Sequence, residues 1–191
     1  MKWGQIMRLF VAVEFPAEIL SALTALQQEI RARVARGRFK RSENFHLTLK
    51  FLGETRPQTV DKLVERLSEA AKLQEAFSLR LGKLGVFGGR PPIRVIWQGL
   101  DGDLSKLYAL QQAVEKECSG IGFPPEKRSY SPHITLAQDV VPTAGQLCLP
   151  KDTAELPFTV REFALVLSEE KDRQRVYTPL QCFPLLSFPG K

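Results

Sequence analysis

His46-Leu47-Thr48-Leu49 and His133-Ile134-Thr135-Leu136 contain the chain's only two histidines, and both tetrapeptides run histidine, aliphatic, threonine, aliphatic. In a strand, alternate residues share a face, so each histidine projects beside its threonine. Leu47, Leu49, Ile134 and Leu136 are left to face a helical layer. Pro132 restricts Ser131 to extended backbone and places His133 at the entry of its strand.

Working outward, each motif ends a similar unit. Arg8 to Phe15 is short, apolar and β-branched, and predicts a buried strand closed by Pro16. Leu20, Leu23, Thr24, Leu26, Gln27 and Ile30 then form a helical stripe, predicted to run to about Arg36 and stop at Gly37. From Phe45 to Leu52 the chain alternates. Phe45, Leu47, Leu49 and Phe51 are predicted on one face, and His46, Thr48, Lys50 and Leu52 on the other. The second half repeats the order, with a strand at Ile93 to Leu100 and a helix from about Asp103 carrying Leu104, Leu107, Leu110, Gln111, Val114 and Cys118. The second motif follows. Arg8 lies 38 positions before His46, and Arg94 lies 39 before His133. Equal order and spacing argue for an internal two-fold repeat, too long for a solenoid.

Thr59 to Leu73 predicts a further helix and Phe77 to Phe87 a strand. Pro142 to Asp152 reads as irregular. Two closing strands, near Phe158 to Ser168 and Arg175 to Leu185, flank the charged turn Glu169 to Arg173. The fold class is α+β: a bilobal, pseudo-two-fold, duplicated β-α-β fold, with mostly antiparallel sheets facing a central cleft and helices outside. It predicts a single domain with sequence repeats at about 8–90 and 91–188.

Apolar residues make up 43% and charged residues 25% of the chain, as in globular proteins that bury a core. No window is apolar enough to predict a membrane-spanning helix, and positions 1–7 lack a signal-peptide core. Cys118, Cys148 and Cys182 are odd in number and far apart, which predicts free thiols and a cytoplasmic protein. No Cys or His stands at zinc-ligand spacing, so no metal and no cofactor is expected. The net charge of +6 suits a polyanionic partner, and much of it lies between Arg31 and Arg41. That run reads either as the solvated end of a helix or as a contact for an RNA backbone.

Two such strands across a cleft would gather two imidazoles and two hydroxyls. Hydrolysis of a phosphodiester needs a base for water, an acid for the departing oxygen and donors for the phosphoryl oxygens. Histidines on opposite sides of phosphorus supply the first two, and the threonines supply the third.

The paired motifs, with Arg8 to Val13, Asn44 to Glu54, Val95-Ile96-Trp97 and Tyr177-Thr178-Pro179-Leu180, resemble the 2H phosphoesterase superfamily. More narrowly they resemble its RNA 2′,3′-cyclic phosphodiesterases, the 2′-5′ RNA ligase-like family. The resemblance implies opening of a 2′,3′-cyclic phosphate at an RNA 3′ end to leave a 2′-phosphate, by a monomer with no membrane partner. Carried onto this chain, His46 is the proton donor to the leaving 3′-oxygen and His133 the acceptor from water. Thr48 and Thr135 hold the non-bridging oxygens. The near symmetry leaves the histidine roles interchangeable on sequence alone. Relatives often carry arginine where this chain has Gln138. Arg128 and Tyr130 are candidate substrate contacts, or simply exposed loop residues, and Trp97 is core or platform. Alternatives are a phosphodiesterase of small cyclic nucleotides or 2′-5′-linked oligonucleotides, with reverse 2′-5′ ligation, and a non-cleaving RNA-end-binding module.

Overall fold

A computed structural model describes residues 6–143, 147–150 and 156–187. The chain runs β1 (Met7–Val13), α1 (Ala17–Arg31), β2 (Val34–Phe39), β3 (Leu47–Thr55), α2 (Pro57–Lys72), β4 (Phe77–Phe87) and β5 (Ile93–Gly102). It continues with α3 (Leu104–Ser119), β6 (Ile134–Pro142), β7 (Pro157–Val160), β8 (Glu162–Lys171) and β9 (Gln174–Pro184). The strands form a four-stranded sheet, β3-β1-β8-β9, and a five-stranded sheet, β2-β6-β5-β4-β7. All their pairings are antiparallel. The expected α+β architecture is what forms.

Neither sheet coincides with one half of the sequence. The first half lends β2 and β4 to the five-stranded sheet, and the second lends β8 and β9 to the four-stranded one. The crossover between sheets sits at Arg161. Phe158 to Val160 pair with β4, and two residues later β8 begins and joins β1. The single strand expected from Phe158 to Ser168 is therefore two. The β8–β9 hairpin turns tightly at Asp172 and Arg173, both at positive φ, so Glu169 to Lys171 are strand rather than turn.

Pro16 precedes α1, whose stripe of Ile19, Leu23, Leu26, Gln27 and Ile30 is buried. The helix stops at Arg31 and not near Arg36. The Arg-Ala-Arg-Val-Ala-Arg run favours helix locally, but Val34 to Phe39 gain a ladder along β6 that the helix would forfeit. Gly37 suits that pairing, since a Cβ there would stand 3.0 Å from Val140 Cγ2. Charged side chains along such an edge strand also discourage further pairing.

Both motif strands carry a bulge at the same place. Thr48 pairs with Ala12 but Lys50 with Val11, leaving Leu49 unpaired. Thr135 pairs with Trp97 but Ala137 with Ile96, leaving Leu136 unpaired. A bulge shifts the alternation by one residue. Lys50, expected beside His46, is instead buried on the helical side, and Phe51 returns to the histidine's face and is 56% exposed.

No helix among the described residues is long and apolar enough to cross a membrane. Positions 1–5, and parts of the irregular segment read at 142–152, lie outside the described residues.

Candidate active site

His46 and His133 each stand one residue before their strand, and each is held by the same bond. His46 Nδ1 lies 2.8 Å from the carbonyl of Asn44, and His133 Nδ1 lies 2.8 Å from the carbonyl of Ser131. A carbonyl only accepts, so in both rings Nδ1 carries the hydrogen and Nε2 is the nitrogen with a lone pair available for a proton. Asn44 is itself fixed, its amide donating to the Arg175 carbonyl at 2.8 Å.

Aromatic side chains wall both imidazoles. Phe10 packs 4.8 Å from His46, and Tyr177 meets it edge-on at 5.1 Å. Phe87 meets His133 edge-on at 5.1 Å and packs on Trp97. Burial pushes the His46 pKa down to about 4; its bond to Asn44 opposes this, while the charges of Lys40 and His133 add to it. The two histidines therefore sit within each other's electrostatic reach.

Thr48 and Thr135 are both partly buried at matching positions beside the bulges. Among the described residues neither hydroxyl engages a protein partner. Tyr130 is not laid out as a stacking surface. Its hydroxyl donates to the Thr48 carbonyl at 2.9 Å and its ring packs edge-on against Tyr108, so it braces the first motif. Arg128 is 85% exposed and turned to Glu126. Gln138 lies in register between Arg38 and Val95, and Arg38 is ion-paired with Asp139. Trp97 is partly buried, its ring covering Gly85 and its Nε1 enclosed without a partner among the described residues.

The basic run divides between the end of α1 and the edge strand β2. Arg36, Gly37 and Arg38 border an open depression of about 410 Å³ with Pro92 and Asp139. No group of three or more His, Cys, Asp or Glu among the described residues is arranged to hold a metal ion. Cys118 is buried on α3, which pushes its thiol up to about 12.

Periodicity missed Lys40. Its Nζ lies 3.3 Å from the Tyr177 hydroxyl. A signal was present, because Lys-Arg-Ser stands six residues before each histidine, at Lys40-Arg41-Ser42 and Lys127-Arg128-Ser129. The two copies are used differently. Lys40 is partly buried beside Tyr177, whereas Lys127 and Arg128 are exposed.

Residues 13–97 and 101–177 match the family described as LigT like Phosphoesterase. The chain is 32% identical over 190 residues to the RNA 2′,3′-cyclic phosphodiesterase of Thermus thermophilus, covering 97% of this chain and 93% of that protein. It is 30% identical over 183 residues to the enzyme of the same name from Geobacillus stearothermophilus, covering 94% of this chain but only 58% of that relative's length. The fold superposes on the crystal structure of Escherichia coli LigT complexed with 3′-AMP, with a TM-score of 0.82, 28% identity and coverage of 95% and 99% of the two chains.

Proposed function

Because the chain belongs to the LigT like phosphoesterase family, we propose that it hydrolyses the 2′,3′-cyclic phosphate at an RNA 3′ end to a 2′-phosphate, with His46 and His133 as the acid and base. The observation that carries this reading is the matched anchoring of the two rings. Each Nδ1–H is committed to a carbonyl two residues back, and each Nε2 is left for proton exchange.

In the proposed reaction His133 Nε2 takes a proton from water as the water oxygen attacks phosphorus. The bond from phosphorus to O3′ breaks opposite the entering oxygen, and His46 Nε2 gives its proton to O3′. The 2′-ester bond stays intact. Thr48 and Thr135 donate to the non-bridging oxygens, whose charge grows in the transition state. Burial keeps His46 neutral near pH 7 in the free protein. An anionic phosphodiester a few ångströms away favours the imidazolium, so substrate itself arms the acid. In this reading Arg128, exposed and five residues before His133, contacts RNA phosphates beyond the reacting end. Tyr130 acts through Thr48.

The test is mass and chromatographic analysis of an oligoribonucleotide ending in a 2′,3′-cyclic phosphate. The expected product gains one water and co-migrates with the 2′-phosphate standard, with EDTA present or absent. His46→Ala and His133→Ala each abolish the gain while the fold is kept. No turnover by the wild-type protein, or full turnover by either variant, overturns the reading.

A further inference from the structure

Lys40 belongs by its backbone to one motif and by its side chain to the other. Its N–H donates to the carbonyl of Leu136, the last residue of the second motif, at 3.0 Å. The Gln27 amide spans the Lys40 carbonyl at 2.8 Å and that of Leu136 at 2.9 Å. The side chain leaves in the opposite sense. Nζ reaches the Tyr177 hydroxyl at 3.3 Å and stands 5.6 Å from the centre of its ring, and Tyr177 packs against His46.

What the ammonium lacks is a counter-charge. Neighbouring cations are matched: Arg38 with Asp139, Arg41 with Glu43, and Arg175 with Glu170. Among the described residues no carboxylate pairs with Lys40. A partly buried cation without an anion is costly unless a ligand brings the charge. Lysine only donates, and one of its hydrogens goes to the phenol oxygen, which keeps its own hydrogen to give. Both groups are therefore donors in search of an acceptor, beside the imidazole that faces the reacting phosphate.

We propose that Lys40, together with Tyr177, is a further catalytic residue: an oxyanion clamp that binds a non-bridging oxygen of the phosphodiester. This inference rests on the phosphodiesterase reading of the same cleft. The clamp neutralises charge as the phosphorane forms, and no bond to lysine is made or broken. It also bears on the His46 proton. The same cation opposes protonation of His46 until an anion arrives between them.

The experiment compares the wild-type protein with Lys40→Met, Lys40→Arg and Tyr177→Phe, each checked for its fold by circular dichroism. Two readings are taken: binding of inorganic phosphate by titration calorimetry, and kcat/KM on the cyclic-phosphate oligoribonucleotide. Lys40→Met is expected to weaken phosphate binding about tenfold and to lower kcat/KM about 100-fold. Lys40→Arg should restore much of both, because the charge and a donor return. Wild-type phosphate affinity in Lys40→Met, or undiminished turnover by it, overturns the clamp. A wild-type protein that binds phosphate through Lys40 but leaves the RNA intact overturns the hydrolase reading and retains the anion site.

Discussion

The hydroxyl of Tyr130 donates to the main-chain carbonyl of Thr48 at 2.9 Å, so a residue three positions before one histidine holds the strand of the other. The reverse tie also exists. Lys40, six positions before His46, is bonded through its N–H to Leu136 of the second motif. Each approach to a histidine is thus stitched to the opposite motif. The two Nε2 atoms owe their relative placement to these crossed bonds as well as to the sheets.

Tyr130→Phe isolates the first of these ties. The ring keeps its packing against Tyr108, and one hydrogen bond, worth about 1 kcal/mol of stability, is lost. A loosened Thr48 should lower kcat about tenfold, with KM much less affected, because small misplacements at a reacting centre are expensive. Steady-state kinetics on the cyclic-phosphate oligoribonucleotide decide it. A silent Tyr130→Phe with a raised KM in Tyr130→Ala would instead make the ring a base-stacking surface.

His46 provides a pH signature. Burial holds its pKa at about 4 in the folded protein, against 6.5 for an ordinary histidine. Between those values the unfolded chain binds more protons than the folded one, so stability falls as pH drops from 6.5 to 4. The loss contributed by this group approaches about 3 kcal/mol at the acid end. His46→Asn keeps a donor for the Asn44 carbonyl and removes the titration. Urea unfolding at pH 7 and at pH 4.5 should show a smaller acid loss in the variant than in the wild type. Proton NMR of the free protein should place the His46 midpoint near 4, and inorganic phosphate should raise it.

Element order was legible because most segments bury one clear face. The eleven residues of β4 (Phe77–Phe87) were legible end to end, and of the α3 stripe all but Leu104, which is only partly buried, lie in the core. The misreadings share a cause: long-range pairing overrode a local pattern. Val34 to Phe39 looked like the end of a helix until β6 offered a ladder. Lys50 and Phe51 exchanged faces because Leu49 bulges, and a two-residue period cannot announce a bulge. In the site, the histidines and threonines were visible in their motifs. Lys40 was marked only by the repeated Lys-Arg-Ser, which could not show its contact with Tyr177, 137 positions away.

Lys50 is the clearest stability test of the bulged register. Its ammonium, 3% exposed, lies 2.5 Å from Glu115 of α3 and 3.0 Å from the Pro124 carbonyl. Lys50→Met removes the only cation paired with the Glu115 carboxylate among the described residues, leaving it the Glu126 N–H and the Gln111 amide as donors, and should cost about 3 kcal/mol. Adding Glu115→Gln should recover part of that loss, and urea unfolding of the singles and the double closes the cycle. If Lys50 stood on the cleft face, as simple alternation predicts, Lys50→Met would change stability by less than about 1 kcal/mol.

Gly85 tests the wall behind His133. The Trp97 ring lies over it so closely that a Cβ would fall 2.2 Å from Trp97 Cζ2. No methyl group fits there, and Gly85→Ala must lift the indole, at a cost of about 1–3 kcal/mol. Trp97 packs on Phe87, and Phe87 on His133, so the displacement passes to the imidazole through two ring contacts. Gly85→Ala is therefore expected to shift tryptophan emission and to lower kcat several-fold, with orthophosphate binding at Lys40 changed little. An altered emission spectrum with wild-type kcat would mean that Phe87 absorbs the movement and that the Ser131 carbonyl alone fixes His133.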